Sequence, residues 1–207
     1  MDPMFELELI AQKILECTLC PLSRGRGLAV PGEGSQSAEI VLVGEGPGFY
    51  EDRDGRPFVG PAGKLLDQLL RSINLNRQDV YITNMVKCRP PNNRDPLPEE
   101  IEACRPYLDK QLSIINPKIL VTLGKYSFSK FFPTEQISKA RGKPRKHNGL
   151  IIYPTYHPAA ALRNSNFRSA IERDFSQIPL LLNKNLAVQE QTDGIEEKPY
   201  QLGLFQN

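Results

Sequence analysis

The 207-residue chain has no tryptophan, no internal repeat and no apolar run long enough to span a membrane. We therefore expect a soluble protein without membrane attachment. It carries no secretory signal and is longer than the secreted domains that depend on disulfide frameworks, so we expect a cytoplasmic protein with reduced thiols. The formal net charge of +2 is too small to indicate a partner by itself. The length permits one domain with a buried core and a tail.

The sequence also lacks a nucleotide-binding fingerprint. The glycines of Gly44–Gly48 do not have the G-x-G-x-x-G spacing, and Phe58 stands where a phosphate-binding loop before Lys64 would need its first glycine. We expect these glycines to let the backbone pass close to a ligand.

Cysteine is scarce but patterned. The four cysteines are Cys17, Cys20, Cys88 and Cys104, which form one C-x-x-C pair followed by two single residues. A close pair in a chain of this kind predicts a metal or redox element. Four thiolates suit either an iron–sulfur cluster or a structural zinc ion, and the spacing alone leaves both open.

Four short apolar runs rich in β-branched residues are typical of strands buried on both faces. They are Glu39–Val43, Asp79–Thr83, Lys118–Leu123 and Leu150–Thr155. Helical patterns lie around and between them, at Phe5–Glu16, Ala62–Ser72, Pro98–Ile115, Tyr126–Phe132 and Phe167–Leu182. Strands that alternate with helices predict an α/β fold with a parallel sheet.

Polar residues follow three of these strands. Glu45 and Gly46 come after the first strand, Asn84 after the second and His157 after the last. Ligands of open α/β sheets bind beyond the carboxyl ends of the strands. We therefore expect a carboxylate, a carboxamide and an imidazole to converge at one edge of the sheet.

Three segments resemble the signature regions of family 4 uracil-DNA glycosylases. They are GEGPGFYEDRDGRPFVGPAGKLLDQLL (44–70), TNMVKCRPPNNRDPLPEEIEACRPYL (83–108) and YHPAAALR (156–163). The resemblance extends from about Cys17 to about Leu182 and implies a four-stranded parallel sheet between helices, the three-layer fold of that superfamily. We expect this domain to span residues 1–184. It implies uracil-containing DNA as substrate, release of uracil by hydrolysis, and a [4Fe–4S] cluster bound by the four cysteines. We expect a monomer.

The resemblance also implies how the base is recognised. Phe58 matches the ring on which the flipped uracil stacks, and Asn84 matches the amide that pairs with uracil O4 and N3–H. Glu51 matches a residue that crowds the C5 edge and would reject the methyl group of thymine. Gly46 occupies the position at which family 1 enzymes carry an aspartate, so it lies beside the bound base.

Two further matches imply catalytic roles. His157 matches the donor to uracil O2, which stabilises the charge that grows as the glycosidic bond breaks. Glu45 matches the carboxylate that positions water or stabilises the sugar cation.

Basic residues predict where DNA phosphates are bound. A dense run precedes the last strand, and its glycine and proline predict a loop. The run consists of Lys139, Arg141, Lys143, Arg145 and Lys146. Arg163 ends a segment that in the family inserts toward the gap left by the flipped base, with Leu162 as the expected wedge.

Residues 185–207 are polar and predict a flexible tail. The tail ends in an apolar motif whose predicted contacts are Gln201, Leu202, Leu204 and Phe205. The motif resembles the pentapeptide by which bacterial repair proteins bind the sliding clamp. A chance apolar end, or a strand packed on the domain itself, is the alternative.

Two other functions remain open at this point. One is a non-catalytic iron–sulfur module that binds nucleic acid. The other is the superfamily's covalent uracil-trapping branch, whose reactive histidine would have to be His147; its KPRKH context matches that branch poorly.

Overall fold

The structure, a computed structural model, describes residues 3–183. Its helices are α1 (Pro3–Leu15), α2 (Phe49–Asp54), α3 (Pro61–Ser72), α4 (Pro98–Ile115), α5 (Lys125–Ser129), α6 (Ile137–Ala140), α7 (Pro158–Ala161) and α8 (Ser165–Asn183). Its strands are β1 (Glu33–Gly34), β2 (Ile40–Gly44), β3 (Tyr81–Asn84), β4 (Ile119–Leu123), β5 (Arg145–His147) and β6 (Leu150–Thr155). Among these described residues, no helix is both long enough and apolar enough to cross a membrane.

The six strands form one sheet in the order β1-β3-β2-β4-β6-β5. The central four, β3, β2, β4 and β6, are parallel and coincide with the four predicted strands. The edge strands β1 and β5 pair antiparallel with β3 and β6 and were not predicted. The prediction of a loop throughout the basic run was wrong at Lys139, which lies in α6, and at Arg145 and Lys146, which lie in β5, because such short elements carry too little pattern to be recognised without their partners.

The sheet is buried on both faces, which confirms the three-layer architecture. Alternate residues of β2 point to opposite sides: Ile40 and Leu42 join the apolar cluster that contains α3 and α8, whereas Val41 and Val43 join the cluster that contains α1 and α4. This explains why the strands lack a polar alternation.

Local signals set the long helices. Pro98 occupies the first turn of α4, and the Glu100 carboxylate accepts a hydrogen bond from the Leu97 N–H at 2.8 Å. Negative charge and a capping carboxylate both stabilise a helix N-terminus, and the predicted bounds of α4 are confirmed. The short helices α2, α6 and α7 were missed, and the predicted Tyr126–Phe132 helix ends at Ser129.

An ion pair joins Arg141, the residue that follows α6, to α8 near the end of β6. Arg141 donates from Nε to Asp174 at 3.0 Å, and the Thr155 hydroxyl donates to the same carboxylate at 2.7 Å. Asp174 is almost fully buried. A buried carboxylate of this kind depends on its cation, so Arg141 has a role inside the fold.

Replacing Arg141 by Met should lower the free energy of unfolding by roughly 3 kcal/mol, because Asp174 would remain buried without its partner. Urea denaturation measures this change. The matched control is Lys143→Met at an exposed neighbouring position, which should change stability by about 0.5 kcal/mol or less. Equal stability of the two variants would contradict the structural role of Arg141.

Candidate active site

A cleft of about 570 Å³ opens at the carboxyl ends of the parallel strands. This volume lies within the range of small-molecule sites. The cleft is lined by every residue predicted to act on the substrate, namely Glu45, Gly46, Glu51, Phe58, Asn84 and His157. The predicted convergence of polar groups at this edge of the sheet is therefore observed.

Asn84 ends β3 and presents an unsatisfied acceptor. The residue is buried, and its side-chain oxygen Oδ1 has no hydrogen-bond partner among the described residues. An unpaired buried amide oxygen is costly unless a ligand supplies a donor. Gly44, its register partner on β2, leaves room for the Asn84 side chain, because a Cβ at position 44 would lie 2.4 Å from Oδ1.

Phe58 forms an apolar wall of the cleft in a strained conformation. Its φ of 53° lies in the left-handed region, which is costly for a bulky residue. Arg77 stabilises it by donating to the Phe58 carbonyl at 3.2 Å and to the Pro57 carbonyl at 2.5 Å. Gly63 packs so closely that a Cβ would lie 1.6 Å from the Phe58 oxygen. Sequence reasoning missed Arg77, because it lies 19 residues away on a connecting segment.

His157 follows β6 and is oriented by the start of α7. Its Nδ1 accepts a hydrogen bond from the Ala159 N–H at 3.1 Å, so the proton of a neutral ring lies on Nε2. The ring stacks against Phe58 with centroids 5.5 Å apart. Burial lowers the pKa of His157 to about 4, although the charge of Glu51 opposes this shift. The side chain is therefore a neutral N–H donor near pH 7.

Glu45, the residue after β2, is half-buried in the same cleft. Desolvation raises the pKa of its carboxyl to about 7, and the nearby charge of Asp95 adds to the rise while Lys125 opposes it. Asp95 also lines the cleft. Near neutral pH, Glu45 is thus balanced between its neutral and ionised forms, as acid–base groups often are.

Glu51 connects two loops of the cleft. One carboxylate oxygen accepts hydrogen bonds from the Val59 and Gly60 N–H groups, each at 2.9 Å, and the other accepts from Gly48 at 3.1 Å. These bonds fix the side chain beside Phe58. Its predicted contact with the C5 edge of uracil stays a prediction.

Gly46 lies where a side chain would not fit. A Cβ on it would approach Val86 Cγ2 to 2.7 Å. Gly46 itself lines the cleft, where the loop presents backbone alone at this position.

The predicted DNA contacts separate into two groups. Arg141 forms an ion pair with Asp174, and Arg145 forms one with Glu135. That these two arginines contact DNA stays a prediction, which their positions do not support. Lys143 is exposed, and Arg163 is exposed at the cleft itself.

Lys87 is a further residue that sequence reasoning missed. Its buried ammonium donates to the Asn84 carbonyl at 2.9 Å, to Thr83 Oγ1 at 2.6 Å and to Gln111 Oε1 at 2.7 Å. Its backbone N–H donates to Cys104 Sγ at 3.2 Å. The sequence offered one indication of this network, a lysine within an otherwise buried stretch. Buried lysines require hydrogen-bond partners.

The four cysteines line one small cavity between α1, the segment after β3, and α4. Arg26 donates to Cys88 Sγ at 3.0 Å, as Lys87 does to Cys104. Burial raises the pKa of the Cys104 thiol to about 12. Thiols in this environment become thiolates only when a metal group binds them.

Within residues 3–183, no three His, Cys, Asp or Glu side chains are placed to hold a single metal ion. Four thiols around one cavity are a donor set that suits either an iron–sulfur cluster or a structural zinc ion.

Comparison with known proteins places this geometry in context. The family model of the uracil DNA glycosylase superfamily matches residues 31–177. A type-4 uracil-DNA glycosylase of Sulfurisphaera tokodaii is 54% identical over 84% of both chains. One of Thermotoga maritima is 45% identical over 86% of this chain and 95% of its own. A type-5 uracil-DNA glycosylase of Pyrobaculum aerophilum is 30% identical over 64% of this chain and 66% of its own.

The state of His157 can be measured directly. Imidazole ¹⁵N NMR should show the Nε2–H tautomer, and the ring should remain neutral on acidification to roughly pH 5, because burial disfavours the cation. The variant His147→Gln removes the other histidine and assigns the signals. An Nδ1–H tautomer, or protonation close to the ordinary histidine pKa, would contradict the assignment.

Proposed function

The chain belongs to the uracil-DNA glycosylase superfamily, and we propose that it removes uracil from DNA by hydrolysing the N-glycosidic bond of deoxyuridine. The products are free uracil and an abasic site, as in base-excision repair. The observation that carries the proposal is the buried, unpaired Asn84 oxygen, in a cleft that also holds Phe58 and the neutral donor His157.

Recognition follows from these groups. Deoxyuridine leaves the base stack and enters the cleft, where its ring lies against Phe58. Uracil N3–H donates to the free Asn84 oxygen, and the amide NH₂ donates to uracil O4. Cytosine offers an acceptor at N3 and a donor at C4, so it cannot pair with the amide in this orientation.

Bond cleavage develops charge that the cleft can stabilise. As the bond from C1′ to N1 breaks, electrons move onto the uracil ring, and the His157 Nε2–H donates to O2. The sugar acquires positive charge, which the ionised Glu45 stabilises. A water molecule then attacks C1′, and its proton passes by way of the Glu45 carboxylate to the uracil anion, which completes hydrolysis.

The alternative functions fit less well. A non-catalytic module has no need for Glu45, Asn84 and His157 in one cleft. A covalent uracil-trapping relative would require a reactive histidine at the site. His147 instead lies on β5, edge-on to Phe131 and Phe132 with ring centroids 5.5 and 6.0 Å away.

We further propose that Cys17, Cys20, Cys88 and Cys104 hold a [4Fe–4S] cluster. The support is the set of four thiols around one cavity, two of them receiving N–H donors, and the identity with type-4 relatives. The cluster would supply a structural link between the segment after α1 and the centre of the chain. Reduced thiols of this kind also support a cytoplasmic location. The monomeric state stays a prediction.

The predicted clamp motif lies outside the described residues. We propose that Gln201, Leu202, Leu204 and Phe205 bind the hydrophobic pocket of a bacterial sliding clamp. The support is the motif itself, two leucines and a phenylalanine at the end of a polar stretch. Tethering to the clamp would raise the enzyme's effective concentration on DNA.

Excision should depend on the ionisation of Glu45. Since burial raises the Glu45 pKa to about 7, the carboxylate form increases as pH rises, and the single-turnover rate should rise with pH up to about that value. Well below it, the rate should fall about tenfold per pH unit. His157, whose pKa is about 4, should add no inflection between pH 5 and 8.

The matched variant is Glu45→Gln, which should reduce the rate by roughly 100-fold or more and abolish the pH dependence while DNA binding persists. A near-normal rate for this variant would mean that another group stabilises the positive charge on the sugar, and Glu51 would be the first candidate.

Loss of one cysteine should remove the cluster. Cys104→Ala should abolish visible absorbance, reduce bound iron and lower the melting temperature, because the metal group stabilises the fold. Ala103→Ser, a change at the adjacent position lining the same cavity, is the control and should retain iron. Zinc without iron in anaerobically prepared wild-type protein would contradict the cluster.

The tail proposal is tested by Leu204→Ala combined with Phe205→Ala. The double variant should lose binding to a purified bacterial clamp, since each buried apolar side chain contributes roughly 1.5–3 kcal/mol, and should excise uracil from short oligonucleotides normally. Gln206→Ala, outside the motif, is the control. Unchanged clamp binding would refute the proposal, and a lower melting temperature would show that the motif packs on its own domain.

A further inference from the structure

Two adjacent aromatic rings are exposed beside the cleft. Phe49 and Tyr50 begin α2, directly after the cleft-lining Gly48, and their side chains are 54% and 44% exposed. The ring centroids lie 5.5 Å apart and the planes are nearly perpendicular. Single exposed apolar residues are ordinary, but a pair at the rim of a binding site indicates a contact surface.

Each ring has an arginine against it. The Arg89 guanidinium carbon lies 5.3 Å from the centroid of Phe49, and that of Arg53 lies 5.6 Å from the centroid of Tyr50. These are cation–π distances. Arg53 is paired with the Asp54 carboxylate, whereas Arg89 has no ion pair among the described residues, so Phe49 and Arg89 together offer an aromatic face and a positive charge.

Arg89 connects two parts of the rim. It precedes Pro90, which lines the cleft, and its Nε donates to Oδ1 of the cleft-lining Asn93 at 2.8 Å. Phe49, whose ring packs against Arg89, directly follows the Gly46–Gly48 loop, which forms the other part of the rim. Among the described residues, the terminal nitrogens of Arg89 have no hydrogen-bond partner, so they are available to an anion.

We propose that Phe49 and Arg89 bind the nucleotide next to the flipped deoxyuridine in the same strand. The flanking base stacks on the Phe49 ring, and the phosphate between the two nucleotides pairs with the Arg89 guanidinium. This inference rests on the proposed function, because it requires a nucleotide chain leaving the cleft at this rim.

The chemistry favours a nucleotide over a protein partner. Every base has a π face, so an aromatic ring binds it without regard to sequence, whereas an arginine supplies the fork geometry that phosphate oxygens match. An unstacked base is available next to a flipped nucleotide, particularly in single-stranded DNA. We call Phe49 and Arg89 the platform. If the platform binds the neighbouring nucleotide, excision should depend on the presence of a neighbouring base and should tolerate its identity.

The test uses single-stranded oligonucleotides that carry one deoxyuridine. In one, the nucleotide on the 5′ side is replaced by an abasic spacer, and in another the 3′ nucleotide is replaced. The spacer keeps the phosphate and removes the stacking base. With one of these two spacer strands, the kcat/KM of the wild-type protein should fall roughly five- to a hundredfold relative to the intact strand. This is the range expected for the loss of one stacked base.

The variant Phe49→Ala should lower kcat/KM on the intact strand by a similar factor and respond to neither spacer. Phe5→Ala, at an equally exposed phenylalanine on α1 that does not line the cleft, should behave as wild type. Arg89→Ala should weaken binding of all three strands alike and reduce the slope of log K against log salt by about one.

The outcomes separate the two ideas. Wild-type excision that ignores both spacers, or a Phe49→Ala variant that keeps the wild-type response, would overturn the platform and leave uracil excision intact. Absence of excision from every strand would refute the proposed function. In that case, fluorescence anisotropy with the same strands and variants tests the platform. A lower affinity of Phe49→Ala than of wild type for the intact strand supports it, and equal affinity refutes it.

Discussion

The close packing of Gly44, Asn84 and Phe58 sets the geometry of the site. Gly44 and Asn84 are register partners on β2 and β3, and a Cβ on Gly44 would lie 2.4 Å from the amide oxygen and 2.6 Å from Phe58 Cζ. Protein interiors do not expand to accept an extra atom without cost. The Phe58 ring and the Asn84 amide therefore keep one relative position, and Arg77 holds the strained backbone of Phe58.

Burial then shifts Glu45 and His157 toward their neutral forms. Desolvation raises the pKa of the Glu45 carboxyl to about 7 and lowers that of His157 to about 4. The imidazole is thus a neutral donor throughout the physiological range, while the carboxylate becomes available near neutrality. A cleft that holds the Glu45 carboxylate and a neutral imidazole favours positive charge at the sugar, which the proposed cleavage of deoxyuridine requires.

Lys87 links the cleft to the cysteines through one hydrogen-bond network. Its ammonium binds the carbonyl of Asn84, and its backbone N–H binds the sulfur of Cys104. The strand end that carries Asn84 and the region proposed to hold the cluster are consequently supported by the same residue. Fully satisfied buried networks of this type fix a single arrangement of the elements they join.

The sequence alone determined the four central strands, the long helices and the meeting of Glu45, Asn84 and His157 at one edge, because hydrophobic period and strand ends are local properties and parallel strands end on the same side. Only the tertiary structure decided that Arg141 pairs with Asp174 inside the fold and that short edge strands complete the sheet. It also decided the protonation states in the cleft. These features depend on contacts between residues distant in the chain and on the burial those contacts create, which no local pattern contains.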